Sequence, residues 1–241
     1  MKEKKRFSSL HNHTSKSILD ATIDAETLIQ QATDFGYNAV AITEHGNMFS
    51  YLEGYKIAKE KGIKFIAGVE AYETTNMDYK EKDGDRFHLI LLAKSNKGLQ
   101  NLFKIVTEGN TRGFYGKPRV DLKTISNYSE DVICMSACLG GRIAKLLYNG
   151  DCACCEHDKC NHFEPDWEKA KEWVQRYRDV FGENYYIELQ SHNTHDQKIA
   201  NQRLYRLAQE TGTKFTITFD THLIDGSELQ KDIHKKFIKI G

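Results

Sequence analysis

Residues 26–43 read ETLIQQATDFGYNAVAIT, an amphipathic stretch that ends in a glycine and is followed by a short apolar and β-branched run. A glycine in this place is typical of a helix that ends in a left-handed cap. The run after Gly36 has the length of a buried strand. This stretch therefore predicts a helix followed by a strand.

The same pattern recurs three more times along the chain, with Gly62, Gly182 and Gly212 in the place of Gly36. Three further runs, FSSLHNH, FHLILLAK and DVICMSA, also have the length of strands. About seven strands interleaved with helices predict a parallel sheet, either closed as a barrel or open and doubly wound. We favour the α/β barrel.

The composition limits the class of protein. With 241 residues, of which 39% are hydrophobic, the chain can bury one sizeable core, and we expect a single domain over residues 1–241. Lys and Arg together number 34, as do Asp and Glu, so contact with nucleic acid would require a local patch. We expect a cytoplasmic protein without a membrane partner, because neither a bilayer-spanning run nor the apolar part of a signal peptide is evident.

Side chains that can bind metal ions lie at the ends of the predicted strands. In a barrel of parallel strands these ends share one rim. Residues two apart on a strand project from the same face, as in His11-x-His13 and Asp220-x-His222. One histidine alone is more often a packing or surface residue, but the whole set predicts a metal centre. The set comprises His11, His13, Asp20, His45, Glu70, Cys138, Asp220 and His222, together with His88, which begins its strand instead of ending it.

The segments that carry these residues resemble a known family. They are SLHNHTSKSILDATI, AITEHGNM, GVEAY, FHLILLAKSNKGLQNL, GFYGKPRVD, MSACLGGRI, IELQSHNTHDQ and TFDTHLID. They closely resemble the PHP (polymerase and histidinol phosphatase) domain of the bacterial-type replicative DNA polymerase III alpha subunit, almost from end to end of the chain. The resemblance implies a distorted seven-stranded (β/α)7 TIM-like barrel.

The resemblance also implies two to three divalent ions, of zinc, manganese, iron or magnesium. The implied ligands are His11, His13, Glu70 and Asp220 for the first ion, His88 and Cys138 with the bridging Glu70 for the second, and Asp20, His45 and His222 for the third. The first four would be the catalytic residues. All these positions hold a side chain able to bind a metal, which favours an active site. Glu44 departs from the aspartate common in the family, so a carboxylate beside the ligands has a different reach.

The function that the resemblance implies is metal-dependent hydrolysis of a phosphate ester. Its form would be a 3′-to-5′ exonuclease that proofreads a DNA 3′ end, beside a polymerase core in the same or a separate chain. No palm-type carboxylate cluster is evident, so we do not expect this chain to synthesise DNA by itself. Two alternatives stay open: a small-molecule phosphatase of the histidinol-phosphatase type, and a non-catalytic, metal-stabilised scaffold that docks the polymerase.

The segment TRGFYGKPR holds candidate contacts to substrate phosphates. Arg112, Lys117 and Arg119 are its cations, and Phe114 and Tyr115 lie between them. Cations interleaved with aromatic residues suit phosphates and bases of nucleic acid. A solvated loop is the equally weighted alternative.

A cysteine-rich segment, residues 149–166, interrupts the alternation and is predicted to be an insertion. Cys152, Cys155, Cys160 and His162 have the short spacings of a structural zinc knuckle. In a reducing compartment such thiols are expected to be free or metal-bound before they form disulfides. The segment therefore predicts either one additional structural zinc site or a mobile, thiol-rich loop.

Overall fold

The computed structural model describes residues 7–80, 85–148 and 163–223. Its helices are α1 (Ala25–Asp34), α2 (Tyr51–Lys61), α3 (Asn96–Thr111), α4 (Leu122–Ser126), α5 (Arg142–Leu147), α6 (Trp167–Phe181) and α7 (His195–Thr211). Its strands are β1 (Ser8–Ser9), β2 (Ala39–Ile42), β3 (Lys64–Thr74), β4 (Phe87–Ala93), β5 (Phe114–Tyr115), β6 (Lys117–Asp121), β7 (Val132–Met135), β8 (Tyr185–Gln190) and β9 (Phe215–Thr218). The predicted zinc ligands of the insertion, Cys152, Cys155, Cys160 and His162, lie outside the described residues, so that site stays a prediction.

The helix ends follow the glycine pattern of the sequence. Gly36, Gly62, Gly182 and Gly212 all have positive φ angles, between 55° and 70°. Residues with a Cβ rarely adopt this conformation, which glycine reaches without steric cost. The helices predicted before these glycines are confirmed.

Seven strands form a nearly closed barrel in the order β1-β2-β3-β4-β7-β8-β9. Within the described ranges, one parallel bridge between Asn12 and Thr221 closes the barrel just beyond the first and last strands. At this bridge the backbone N–H of His13 donates to the carbonyl oxygen of Thr221 at 2.9 Å. The predicted seven-stranded α/β barrel is confirmed, and its closure lies directly beside the predicted metal ligands.

Strand β4 runs antiparallel to both β3 and β7, and here the expectation of an all-parallel sheet was wrong. The pairing of Tyr72 with His88 puts the start of β4 next to the carboxyl end of β3. A parallel connection needs a long crossover, usually a helix, but residues 75–86 read TNMDYKEKDGDR and have no helical apolar pattern. Because β4 is reversed, His88 lies at the same rim as the other predicted ligands, although it begins its strand instead of ending it.

A short hairpin of β5 and β6 adds to the barrel and was not predicted. Its strands pair Phe114 with Pro118 and Tyr115 with Lys117. Strand β6 also lies parallel to the end of β3. The hairpin therefore stands beside the rim rather than inside the seven-stranded ring.

Apolar side chains fill one part of the barrel and polar side chains the other. Ala41, Ile90, Leu92, Met135 and Ala137 form a cluster inside the ring. A larger cluster lies between the sheet and the helices α3, α5, α6 and α7, and a third packs α1 and α2 against β2. None of the helices in the described ranges combines the length and the apolar character needed to cross a bilayer.

A buried ion pair joins β3 to two of the outer helices. Glu73 accepts hydrogen bonds from Arg142 Nε at 2.9 Å and Arg142 Nη2 at 3.0 Å, and from the Tyr177 hydroxyl at 2.8 Å. The Arg142 guanidinium lies 3.9 Å from the ring centroid of Phe87 and 4.0 Å from that of Trp173. Burial raises the pKa of Glu73, and Arg142 opposes this shift. These contacts fix β3, α5 and α6 against one another.

Candidate metal centre

The nine side chains predicted as metal ligands meet in one cluster at the rim of the barrel. They are His11, His13, Asp20, His45, Glu70, His88, Cys138, Asp220 and His222. Each has a nitrogen, oxygen or sulfur atom within 3.3 Å of such an atom in another member. The geometry therefore matches the predicted convergence, while their role as ligands stays a prediction.

Three overlapping groups within the cluster could each hold a metal ion, because their donor atoms lie within 4.8 Å of one another. The groups are His11, His13 and Glu70; His45, Glu70 and His88; and His13, Asp20, His45 and His222. Cys138 adjoins them, with its Sγ 3.3 Å from His88 Nδ1, and Asp220 Oδ1 lies 3.1 Å from His11 Nε2.

Glu70 lies at the centre of the cluster and is buried. Its Oε2 is 3.0 Å from both His13 Nε2 and His45 Nδ1, and its Oε1 is 2.9 Å from His88 Nδ1. Oε2 thus faces two histidines and Oε1 faces a third, and Glu70 belongs to two of the three groups. A carboxylate in this place could contact two ions.

The donors present fit divalent metal ions. Imidazole nitrogen, carboxylate oxygen and thiolate sulfur are the ligands of zinc and related ions. His45 Nδ1 and Asp220 Oδ1 are buried without a hydrogen-bond partner of acceptable geometry in the described part of the chain. Buried polar atoms are normally hydrogen-bonded, so these two atoms are accounted for if they bind an ion. The cluster is therefore capable of binding metal.

The histidines and carboxylates of the cluster stabilise one another's charged forms. Burial by itself lowers the pKa of His45, but Glu70 and Asp20 outweigh burial and raise that pKa to about 10. Burial by itself raises the pKa of Asp20, but hydrogen bonds to His222 and His45 hold it well below its ordinary value. The carboxylates stay ionised at neutral pH, as metal binding requires.

Glu188 on β8 belongs to the surroundings of the cluster and was not predicted from the sequence. The side chain is fully buried, and its Oε1 lies 2.6 Å from His11 Nδ1. Thr218 Oγ1 donates to the same oxygen at 2.5 Å. Strand alternation puts Glu188 on the same face as Tyr186, which points into the barrel. A carboxylate directed into a barrel interior was the signal that could have revealed it.

Glu44, which stands where the family commonly has an aspartate, contacts the cluster through an intervening side chain. Its carboxylate accepts hydrogen bonds from Ser50 Oγ at 2.6 Å, from Ser17 Oγ at 2.5 Å and from the Thr14 hydroxyl. Ser17 Oγ also lies 3.1 Å from His13 Nδ1. Glu44 therefore orients His13 through Ser17.

Backbone strain concentrates beside the cluster. Among described residues other than glycine, positive φ angles occur at Leu19 (64°), Asp131 (55°), Ala137 (63°) and Asp220 (51°). Leu19 precedes Asp20, Ala137 precedes Cys138, and Asp220 is itself a predicted ligand. Strained backbone conformations tend to occur at functional sites, where the surrounding structure enforces them.

The three predicted phosphate contacts have different environments. Lys117 is exposed, and its Nζ lies 5.7 Å from the centroid of the Tyr72 ring beside the cluster. Arg112 pairs with Asp78 at 2.9 Å. Arg119 is buried and donates to the carbonyl oxygen of Tyr79 at 2.8 Å. The prediction that Arg119 contacts a substrate phosphate must be corrected, because its guanidinium is buried against the carbonyl oxygens of Met77 and Tyr79.

A cavity of about 550 Å³ opens over the cluster. Asp20, His45 and His88 contribute to its lining, and so does Tyr72. Its outer part is formed by residues from three other places, namely Lys16, Ile18, Leu19, Asn47, Phe49, Asn110, Phe114 and Lys117. The cluster is thus accessible to a ligand from one side.

Comparisons with known proteins identify the family of the chain. A family model described as PHP domain matches residues 9–192. DNA polymerase III subunit alpha of Aquifex aeolicus is 37% identical over 230 residues, which cover 92% of this chain and 18% of that protein. The same subunit of Borreliella burgdorferi is 37% identical over 229 residues, which cover 93% of this chain and 19% of that protein. The chain spans about a fifth of the length of these relatives.

Among solved structures, an amidohydrolase from Chromobacterium violaceum with bound sulfate and no metal has a TM-score of 0.48 and 11% identity, covering 89% of this chain and 87% of that one. The family model, by contrast, covers well over half of the sequence and includes most of the strands that form the cluster. The chain therefore belongs to the PHP domain family.

Proposed function

We propose that this chain is a metal-dependent phosphoesterase that acts as a 3′-to-5′ exonuclease on DNA. The observation that carries the proposal is the convergence of nine predicted ligands in one cluster under an open cavity. The relatives are subunits of a DNA polymerase, which favours a DNA end over a small phosphate ester as substrate.

When bound, divalent ions would lower the pKa of a coordinated water, polarise the phosphoryl oxygens and stabilise the leaving oxygen. His11, His13, Glu70 and Asp220 would hold the ion nearest to the closure of the barrel. The Glu70 carboxylate would orient two groups of ligands at once, since its oxygens face different histidines. Lys117, at the mouth of the cavity, would pair with a substrate phosphate.

The relatives also suggest where the reaction would occur. The part of each relative that this chain matches is about a fifth of that relative's length. We propose that the domain acts beside a polymerase core, in the same or a separate chain, in the cytoplasm. Removal of a mismatched nucleotide would then serve proofreading during DNA replication.

The test is release of nucleotides from a 3′-labelled, mismatched primer, with manganese or zinc restored after chelation. We expect metal-dependent release by the wild type and loss of release in His13→Ala and Asp220→Ala. His195→Ala is the matched control, because His195 is exposed at the start of α7, and it should retain full activity.

The result that would overturn the proposal is an inactive wild type that binds metal and keeps its fold. That result would favour the non-catalytic scaffold. Turnover of a small phosphomonoester without turnover of DNA would favour the small-molecule phosphatase instead.

A further inference from the structure

Four exposed apolar side chains surround the mouth of the cavity above the cluster. The exposed fractions are 74% for Ile18, 71% for Phe49, 53% for Phe114 and 40% for Leu19. They come from three segments that are distant in sequence, and all line the same cavity. Large apolar groups gathered around a polar site indicate a binding surface. We call these four residues the apolar rim.

Hydrogen bonds and strand pairing position the backbone of Phe49 and Phe114 beside the cluster. The N–H of Phe49 donates to Asn47 Oδ1 at 3.0 Å, and Asn47 Nδ2 donates to the carbonyl oxygen of His45 at 3.0 Å. Phe114 is held by its pairing with Pro118 in the hairpin. Because the backbone at Phe49 and Phe114 is already held, less backbone entropy is lost when these residues bind a ligand.

Two cations stand beside the rim. Lys16 and Lys117 are both exposed and line the cavity, and neither forms an ion pair with any residue in the described ranges. Arg112 in the same region differs, because its guanidinium is engaged by Asp78 and Glu108. Among the described residues that line the cavity, Lys16 and Lys117 are therefore the cations available to an anionic ligand.

The combination of apolar rim, unpaired lysines and metal-binding cluster fits a strand of nucleic acid better than a small phosphate ester. Phosphates pair with cations and metal ions, whereas unpaired bases stack on aromatic side chains irrespective of sequence. A cavity of about 550 Å³ is within the size range of ligand sites, roughly 300–1,000 Å³. A phosphomonoester without an aromatic part would leave the rim uncovered.

We propose that the apolar rim binds the unpaired base at the 3′ end of a single strand, with Phe49 and Phe114 as the stacking residues. Lys16 and Lys117 hold the adjacent backbone phosphates, so that the terminal linkage lies over the cluster. This inference rests on the proposed function and adds the feature by which the site selects a frayed end. A paired end would be excluded, because its terminal base is already stacked within the duplex.

The experiment compares two single strands with the manganese-loaded protein, one with a normal 3′-terminal nucleotide and one whose terminal sugar lacks its base. Each strand carries a fluorophore at its 5′ end and a phosphorothioate in its last linkage to slow hydrolysis, and fluorescence anisotropy gives the Kd. Stacking contributes about 1–3 kcal/mol per base, so Phe49→Ala and Phe114→Ala should each weaken binding of the normal strand about 5- to 150-fold. Binding of the abasic strand should not change.

Phe35→Ala is the matched control. Phe35 is 70% exposed, like Phe49, but it lies before β2, at the opposite end of the barrel. This variant should bind both strands as the wild type does. Melting curves of all variants establish that each is folded.

Equal loss of affinity for the two strands, or no loss for either, would overturn the base-binding role of the rim. These results do not depend on turnover, because anisotropy reports binding alone. Primer hydrolysis by the wild type combined with equal binding of both strands would reject the rim and leave the exonuclease proposal intact. Base-dependent binding by a wild type without turnover would support the rim and count against the exonuclease.

Discussion

At the residue scale, the two ring nitrogens of His11 face different partners. Nδ1 lies 2.6 Å from Glu188, and Nε2 lies 3.1 Å from both His13 Nε2 and Asp220 Oδ1. A carboxylate that accepts the proton of one ring nitrogen leaves the lone pair of the other for a metal. With Nδ1 of His11 donating to Glu188, Nε2 would be the nitrogen left for a metal ion.

We predict that Glu188→Gln weakens metal binding about 10- to 100-fold, because the neutral amide neither fixes the tautomer nor increases the basicity of His11. Competition with a chelating dye measures the affinity. Glu183→Gln is the control, since Glu183 precedes the same strand but is exposed and pairs with Lys214. Equal affinities in the two variants would remove the positioning role of Glu188.

At the element scale, helix α3 approaches β7 so closely that one position must be glycine. A Cβ on Gly98 would lie 2.0 Å from the carbonyl oxygen of Asp131. Alanine in place of glycine normally stabilises an exposed helix interior by about 1 kcal/mol. We predict the opposite sign here, a loss of about 1–3 kcal/mol in the free energy of unfolding, because the backbones must separate.

Urea unfolding of Gly98→Ala measures this change. Thr107→Ala, an exposed position on the same helix, is the control and should change stability by less than about 0.5 kcal/mol. A stabilised Gly98→Ala variant would contradict the close approach of α3 to Asp131.

The second prediction at this scale concerns the ion pair between Glu73 and Arg142, which joins β3 to α5. Arg142→Ala leaves the buried Glu73 carboxylate without its cation and should lower the free energy of unfolding by about 3–5 kcal/mol. Arg176→Ala removes an exposed pair with Glu172 and should cost less than about 1 kcal/mol. The same urea titration compares them, and similar losses would show that the buried pair contributes no more than the exposed one.

At the scale of the whole molecule, the predicted ligands come from segments around the entire barrel. A bound ion would thus join strands that, among the described residues, are closed by the bridge of Asn12 to Thr221. At about 100 times the Kd, binding to the folded state adds roughly 2.7 kcal/mol to stability. For a domain of this size we predict a rise in Tm of about 5–10 °C on adding zinc or manganese.

Chelation should reverse this rise, and differential scanning calorimetry measures both directions. His13→Ala should show a much smaller rise, whereas the exposed His195→Ala should show the full one. A Tm that does not respond to metal in the wild type would mean that the cluster does not stabilise the fold through ions.

The sequence by itself determined the seven barrel strands, the four helices that end at a glycine, and the types of residue at the strand ends. Helices and strands follow local patterns, and the glycines at helix ends act through the backbone of a single residue, so neither depends on distant contacts. The alternation of helices and strands predicted the barrel. The residues at the strand ends predicted the convergence of His11, Glu70 and Asp220 at one rim.

Only the tertiary structure decided the direction of β4, the burial of Arg119 and the contact of Glu188 with His11. Each depends on which distant segments become neighbours. The direction of β4 depends on its pairing with β3 and β7. The burial of Arg119 depends on the chain at residues 77–79, and Glu188 contacts a residue 177 positions earlier. Local periodicity specifies which face of an element is apolar, but not what lies opposite that face. Those neighbours are selected by the packing of the whole barrel, where burial and the pairing of polar groups are satisfied together.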